Sequence, residues 1–347
     1  MTTTPDRIDA PAFAVISGEQ VQRALHGREP EVGRLVEEVY RLHGEGESVN
    51  PPSYFLRFED RPSARIIALP ASLGGPQRVD GLKWISSFPE NTRSGLPRAS
   101  AVLILNDPVT GYPYACLESS VISATRTAAS AALAADRLSR SRPRPARVGF
   151  IGTGLIARYV HTHLTATGWE FEETGVHDLS ADSAAGFRGY LERSGTKGRI
   201  TVHDSAESLV RSSDLLVFAT VAAQPHVHDL AWFAHHPLVL HVSLRDLDPR
   251  ILLASANFVD DVEHCLKADT SPHLVERLTG SREFLDGTLH DVLTGRAEVP
   301  ADRTVVFSPF GLGVLDLAVG RFVHDEMVRL GELRVVDGFF HELRRHG

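Results

Sequence analysis

The sequence predicts an α/β protein of two domains: a parallel sheet covered by helices on both faces, and a smaller α+β domain with a mostly antiparallel or mixed sheet. Three observations predict it. Between residues 148 and 261, short, continuously apolar segments alternate with helix-length segments, as strands buried on both faces require. One of them runs into a glycine turn and then a helix, in VGFIGTGLIARYV. Before them lies a series of short strand-like runs bounded by Gly and Pro. The length of 347 residues also exceeds what one ordinary core supports.

The elements follow in chain order. Val21, Leu25, Val32, Leu35, Val36 and Val39 recur at helical spacing and predict one helix over 18–43. ARIIALP (64–70), GLKWISS (81–87), SAVLILND (100–107) and YPYACLE (112–118) read as strands. DPVTG between the last two is a hairpin turn, with Pro108 presetting φ and Gly111 free to take a positive φ. SATRTAASAALAADRL (123–138) is Ala-rich and helical. SRSRPRPAR follows, its core at 141–147, and reads as a solvated linker.

The second domain contributes VGFI (148–151), GVHD (175–178), ITVH (200–203), LLVFAT (215–220), LVLHVS (238–243) and FVDD (258–261) as strands. TVVFSPFG (304–311) then leads into LGVLDLAVGRFVHDEMVRLG. Leu315, Leu317, Val319, Phe322, Val323, Met327 and Leu330 give that helix one apolar side, and it is expected to return to the first domain. The expected boundaries are 1–125 with 311–347 for the first domain and 126–310 for the second.

Composition excludes several classes. Hydrophobic residues make 42% and charged residues 23%, as in a globular protein. A net charge of −8 opposes non-specific nucleic-acid binding. No run of about 18 apolar residues exists, so no membrane partner is expected. The N-terminus, MTTTPDRIDAPAF, lacks a charged-then-apolar leader pattern. Two cysteines, Cys116 and Cys265, make no disulfide framework, and a cytoplasmic setting is expected. No HExxH or C-x-x-C occurs, so no metal is expected.

The glycine turn carries the clearest chemistry. Gly152, Gly154 and Ala157 form G-x-G-x-x-A between an apolar strand and a helix, the Rossmann-type context for a dinucleotide. Gly152 makes the turn, Gly154 lets backbone approach a pyrophosphate, and Ala157 permits close helix–sheet packing. Leu155 and Ile156 open the helix whose N–H groups face the phosphates. The next strand ends at Asp178, where an acid binds the adenosine ribose. Leu179 and Ser180 follow, with no Arg. A carboxylate repels a 2′-phosphate, so NAD is the expected cofactor rather than NADP.

GLKWISSFPEN, NDPVTGYP, SATRTAASAALAA, DLLVFAT and SPFG, in this order, resemble the ornithine cyclodeaminase/mu-crystallin family over Ser17 to Gly331. ARIIALPASLGG, GLKWISS, RASAVLILNDP and ESSVISATRTAA are similar to the branch that acts on N-(2-amino-2-carboxyethyl)-L-glutamate. The resemblance implies that the first domain binds the substrate and forms a homodimer. It implies that Lys83 and Arg57 hold a substrate carboxylate and that Arg126 reaches the cofactor pyrophosphate. Thr220, Val242 and Ser243 would lie by the cofactor, with Asp246 of VSLRDLDP as the catalytic acid/base. Ser308, Pro309 and Phe310 would close over nicotinamide and substrate.

One departure bears on the substrate. Ornithine-type members carry a Glu two residues before the Met-Pro pair; here that place is Ile67, and the strand brings Arg65 instead. Ile cannot pair with a substrate ammonium. Arg57, Arg65, Lys83 and Arg93 together suit an amino acid with several carboxylates. Arg98 is a candidate for a cofactor phosphate. Asp248-Pro249 is the better helix N-cap, which leaves Asp246 for chemistry. Glu118 reads as a strand-end cap, and His226 and His228 as cap or surface positions at a helix start. The expected reaction is NAD-dependent oxidation of the secondary amine, then hydrolysis to 2-oxoglutarate and 2,3-diaminopropionate. An ornithine cyclodeaminase, a ketimine or imino-acid reductase, and a mu-crystallin-like binding protein stay as alternatives.

Overall fold

The computed structural model describes residues 12–341. In chain order its first part holds β1 (Ala14–Ile16), α1 (Gly18–Leu25), α2 (Glu29–Gly44), β2 (Ser48–Val49), β3 (Tyr54–Arg57), β4 (Arg65–Leu73), β5 (Val79–Ser87), β6 (Ala99–Asn106), β7 (Pro113–Glu118) and α3 (Ser120–Leu138). Then come β8 (Arg147–Ile151), α4 (Leu155–Ala166), β9 (Glu173–His177), α5 (Ala181–Arg193), β10 (Arg199–Val202), α6 (Ala206–Ser212), β11 (Leu215–Phe218) and β12 (Leu238–His241). The last part holds α7 (Pro249–Leu253), β13 (Ala256–Val259), α8 (Val262–Cys265), α9 (Ser271–Thr279), β14 (Leu285–Thr288), α10 (Leu289–Leu293), β15 (Val305–Ser308), α11 (Gly313–Leu330) and β16 (Arg334–Val335). The described residues form two compact units: 12–26, 45–123 and 313–341, and 27–44 with 124–312.

The first unit is a mixed sheet in the order β16-β1-β7-β6-β5-β4-β2, with β3 also on β4. Only β1 and β7 pair in parallel; the other neighbours are antiparallel. Strand alternation gives the sheet two different faces. Leu73, Val79, Leu103, Leu105, Ala115 and Leu117 are buried on one, where α11 packs over β4, β5 and β6. Val15, Leu56, Trp84 and Val102 point the other way and are exposed. Ser17 and Gln20 form a capping box at the start of α1.

The second unit is an eight-stranded parallel sheet in the order β10-β9-β8-β11-β12-β15-β13-β14. The order reverses between β8 and β11, the point where such sheets open a crevice at their strand ends. Its strands are apolar runs buried throughout, such as Leu215–Phe218 and Leu238–His241.

Four local expectations change. The helix over 18–43 is two helices, because Gly27 takes a left-handed φ of 75° and Pro30 restarts the chain in the first turn of α2. The SRSRPRPAR stretch is largely exposed, as expected, but it is also anchored. Arg142 donates to the carbonyls of His236, Pro300 and Arg303, and Arg144 lies 4.4 Å over the Trp169 ring. Pro225 to His228 is a bridge rather than a helix start, since His226 and Val227 donate to the Asp246 carbonyl. The strand β14 went unread because Asp286 and Gly287 sit in it.

Candidate functional site

In the first unit, register decides which cations share a face. Arg57 pairs with Arg65, and Arg65 with Ser87. Lys83, four residues before Ser87, lies on that same face of the sheet by alternation. Arg98 donates to the Ser87 hydroxyl at 2.7 Å, and burial pushes its guanidinium below its ordinary pKa. Like charges directly opposite one another weaken an antiparallel pair, so Arg57 facing Arg65 is an arrangement that gains from an anion. Arg57 also lies over the Phe55 ring, 5.1 Å from its centre.

Lys83 and Arg93 behave differently. Lys83 is buried, and its Nζ donates to Asp316 Oδ2 at 2.6 Å and to Ser123 Oγ at 3.3 Å. Its charge is therefore balanced by a buried carboxylate from α11, which sequence reasoning missed. Arg93 is 80% exposed and paired with Glu90 one turn away, and among the described residues no contact joins it to the other cations. Glu118 caps α3 by accepting from the Ser120 and Val121 amides.

In the second unit the glycine turn has the features a dinucleotide needs. Gly152 has φ 82°, and a Cβ there would lie 2.6 Å from the Ala219 carbonyl oxygen. A Cβ at Gly154 would meet nothing within 4 Å. The first turn of α4, from Leu155 and Ile156, has no side-chain cap, which leaves its N–H groups for a phosphate. Asp178 Oδ2 accepts from the Thr153 amide at 2.9 Å and its hydroxyl at 2.8 Å, and Oδ1 from the Ser180 amide. These residues fit the adenosine and pyrophosphate of NAD.

Asp246 is the most enclosed acid near the β11 and β12 ends. It is fully buried. Its Oδ1 accepts from the Thr220 hydroxyl and lies 3.1 Å from His226 Nε2, which donates or accepts according to the ring tautomer. Its Oδ2 accepts from the Ser243 hydroxyl, and His241 Nε2 lies 3.2 Å from it. Burial works to raise this carboxyl. The bonds from His226 and His241, the His241 charge and the Ser243 hydroxyl outweigh it and hold it well below the usual carboxylate range. The same His241 nitrogen accepts the Asp246 amide at 3.1 Å, and one ring nitrogen serves only one of these partners at a time. His241 Nδ1 meets Ser308 Oγ at 3.2 Å.

The turn through Val242 and Ser243 reaches Asp246 by way of Leu244, which has φ 68°. A bulky residue there is strained, and such strain gathers at functional sites. Asp248 caps α7 by accepting the Arg250 amide, as its Asp-Pro context predicts. Asp246 is not free of neighbours, however: it is wrapped by four side chains, those of Thr220, His226, His241 and Ser243.

The Ser308–Pro309–Phe310 loop is fixed by a residue sequence reasoning missed. Asp260 is buried and accepts the amides of Phe310 at 2.9 Å and Gly311 at 2.6 Å. Burial raises its carboxyl against those bonds. A Cβ on Gly311 would fall 2.3 Å from the Arg126 guanidinium. Arg126 thus lies against this loop, buried on α3. The only local signal was the FVDD strand end, where Asp260 and Asp261 stand together. Among the described residues no group of acids, histidines and cysteines could hold a metal ion, and no helix is long and apolar enough to cross a membrane.

Comparison with known proteins follows the same outline. N-((2S)-2-amino-2-carboxyethyl)-L-glutamate dehydrogenase of Staphylococcus aureus is 27% identical over 83% of this chain and 88% of its own. Nodulation efficiency protein NfeD of Rhizobium meliloti is 32% identical over 86% of this chain and 90% of its own. An archaeal alanine dehydrogenase dimer, solved with NAD bound, is 27% identical and superposes with a TM-score of 0.83 over 94% of this chain and 99% of its own. The ornithine cyclodeaminase/mu-crystallin family model matches residues 15–330. The chain belongs to the ornithine cyclodeaminase/mu-crystallin family.

Proposed function

We propose that this protein is an NAD-dependent oxidoreductase that converts N-(2-amino-2-carboxyethyl)-L-glutamate to 2-oxoglutarate and L-2,3-diaminopropionate. The observation that carries this reading is the register that sets Arg57 against Arg65, with Arg98 beside them at Ser87. A strand face with that charge suits a substrate with several carboxylates. Each charged hydrogen bond contributes about 1.5–3 kcal/mol net. The S. aureus relative supports the same substrate. Ile67, in the place of an acid, gives an ornithine ammonium no partner.

When bound, NAD supplies the hydride acceptor. Gly152, Gly154 and the first turn of α4 hold its pyrophosphate, with Arg126, and Asp178 its ribose. Thr220, Val242, Ser243 and Ser308 line its nicotinamide end. Asp246 accepts the proton that leaves the secondary ammonium when the imine forms, and water then releases the two products. Arg57, Arg65 and Arg98 hold carboxylates, with Pro309 and Phe310 closing over the substrate. Lys83, neutralised by Asp316, acts through the position of its strand and shares a carboxylate only by exchange with Asp316.

We place the protein in the cytoplasm, where its two cysteines stay free. It forms a homodimer through the sheet face that carries Val15, Leu56, Trp84 and Val102.

The deciding experiment incubates the protein with NAD and candidate amino acids, following NADH by its near-ultraviolet absorbance. NADH together with 2-oxoglutarate from the glutamate adduct, and none from ornithine, is expected. Proline and ammonia from ornithine without net NADH would remove the reading.

A further inference from the structure

We infer that His226 is the proton outlet of Asp246: its imidazole takes the proton released by the reaction from the buried carboxylate and delivers it to water. The inference rests on the proposed amine oxidation. That reaction balances as secondary ammonium plus NAD giving iminium, NADH and one proton. The iminium then takes up water and becomes a ketone and a primary ammonium, with no further change in proton count. One proton per turnover must therefore leave a carboxylate that has no solvent contact.

The surroundings of Asp246 leave few routes. Thr220 and Ser243 present hydroxyls that are already donors to it. His241 is as buried as Asp246, and its far nitrogen is turned to Ser308 inside the unit. His226 is different. Its Nε2 is 3.1 Å from Asp246 Oδ1, yet 42% of its side chain is exposed. Among the described residues no hydrogen bond engages its Nδ1. A group with one nitrogen on the carboxylate and the other toward water is built for transfer. With the ring starting as the Nδ1–H tautomer, the proton crosses from Oδ1 to the Nε2 lone pair, the imidazolium loses its Nδ1 proton to water, and exchange with water restores the Nδ1–H form.

His226 is also held in place for this. Its own amide donates to the Asp246 carbonyl at 3.0 Å. Val227 pairs with Leu247 as a parallel bridge, so the segment carrying the imidazole is tied on both sides to the one carrying the carboxylate. His228, two residues on, is bound to Asp248 at 3.1 Å and does not compete for Asp246.

The test uses the full chain with saturating NAD and whichever amino acid the wild type oxidises. A wrong substrate therefore shows in the wild type alone, apart from the His226 comparison. His226→Gln keeps a donor for Asp246 but cannot carry a proton. We expect its kcat to fall about a hundredfold, with KM and NAD affinity within threefold of wild type. His226→Ala should fall as far and regain activity with added imidazole, saturably. A His226→Gln kcat within threefold of wild type would overturn the inference. So would a folded, NAD-binding His226→Ala that imidazole does not rescue.

Discussion

Two buried carboxylates, one in each unit, meet partners of opposite kinds. Lys83 and Asp316 are both sealed from solvent, and the ammonium lies 2.6 Å from the carboxylate. Asp246 is sealed too, but one of its histidine partners is 42% exposed. A sealed pair of this kind holds one geometry. A carboxylate with an exposed imidazole can exchange protons without being opened to water. On the proposed reading, burial alone does not mark a reacting acid; the exposure of its partner does.

The comparison breaks most sharply at Asp246. Asp246→Asn is expected to lower kcat about a thousandfold while the protein still binds NAD. Turnover within tenfold of wild type, followed in the same NADH assay, would make the enclosed acid a structural one. At the sealed pair the effect should fall on stability instead. Lys83→Met takes the ammonium away from the buried Asp316 carboxylate, at a cost of about 3–5 kcal/mol in denaturant unfolding. Lys83→Met with Asp316→Leu should recover most of it. Full stability in the single variant would show that the pair is not sealed.

A second pair of sealed groups sharpens the contrast with His226. Burial pushes both His161 and His163 down to about 4. Each is held neutral in the folded state, while the unfolded chain binds a proton near the ordinary value. Stability is then complete above about pH 6.5 and declines as pH falls toward 4. About 2 kcal/mol per histidine should be lost by pH 5, read from unfolding curves at pH 7.5 and 5. A flat stability over that interval would place these imidazoles in contact with water. The smallest effect is expected at the open cation face, where Arg57→Ala raises KM about tenfold and leaves kcat nearly unchanged. A drop in kcat alone would move Arg57 from holding substrate to the chemistry.

What could be read from the chain beforehand was what depends on near neighbours. Gly152, Gly154 and Asp178 stand out because a strand, a turn and a helix follow one another without interruption. Asp248 reads as a cap from the proline beside it. Lys83 stood out in its strand, but its partner Asp316 is 233 residues away, and no spacing rule links them. Asp260 grips a loop 50 residues on, which only the pairing of β13 with β15 brings near. His226 looked like a surface residue, and it is one on a single side. Its other side became visible only when the bridge between Val227 and Leu247 set it beside Asp246. The basic stretch at 141–147 is exposed as expected, but its carbonyl contacts were not legible, because arginine donors look identical whether they face water or carbonyls.

The Asp178 carboxylate carries a consequence for anyone redesigning cofactor choice. Oδ2 already takes two donors from Thr153, and Oδ1 takes the Ser180 amide. Of roughly four lone-pair positions on a carboxylate, one remains for an incoming ribose. The same side chain that we propose reads the sugar also pins the glycine turn. Replacing it to admit a 2′-phosphate removes a repulsion and unfastens the turn in one step. A successful swap therefore needs a second residue that ties Thr153 back down, in addition to the arginine that greets the phosphate.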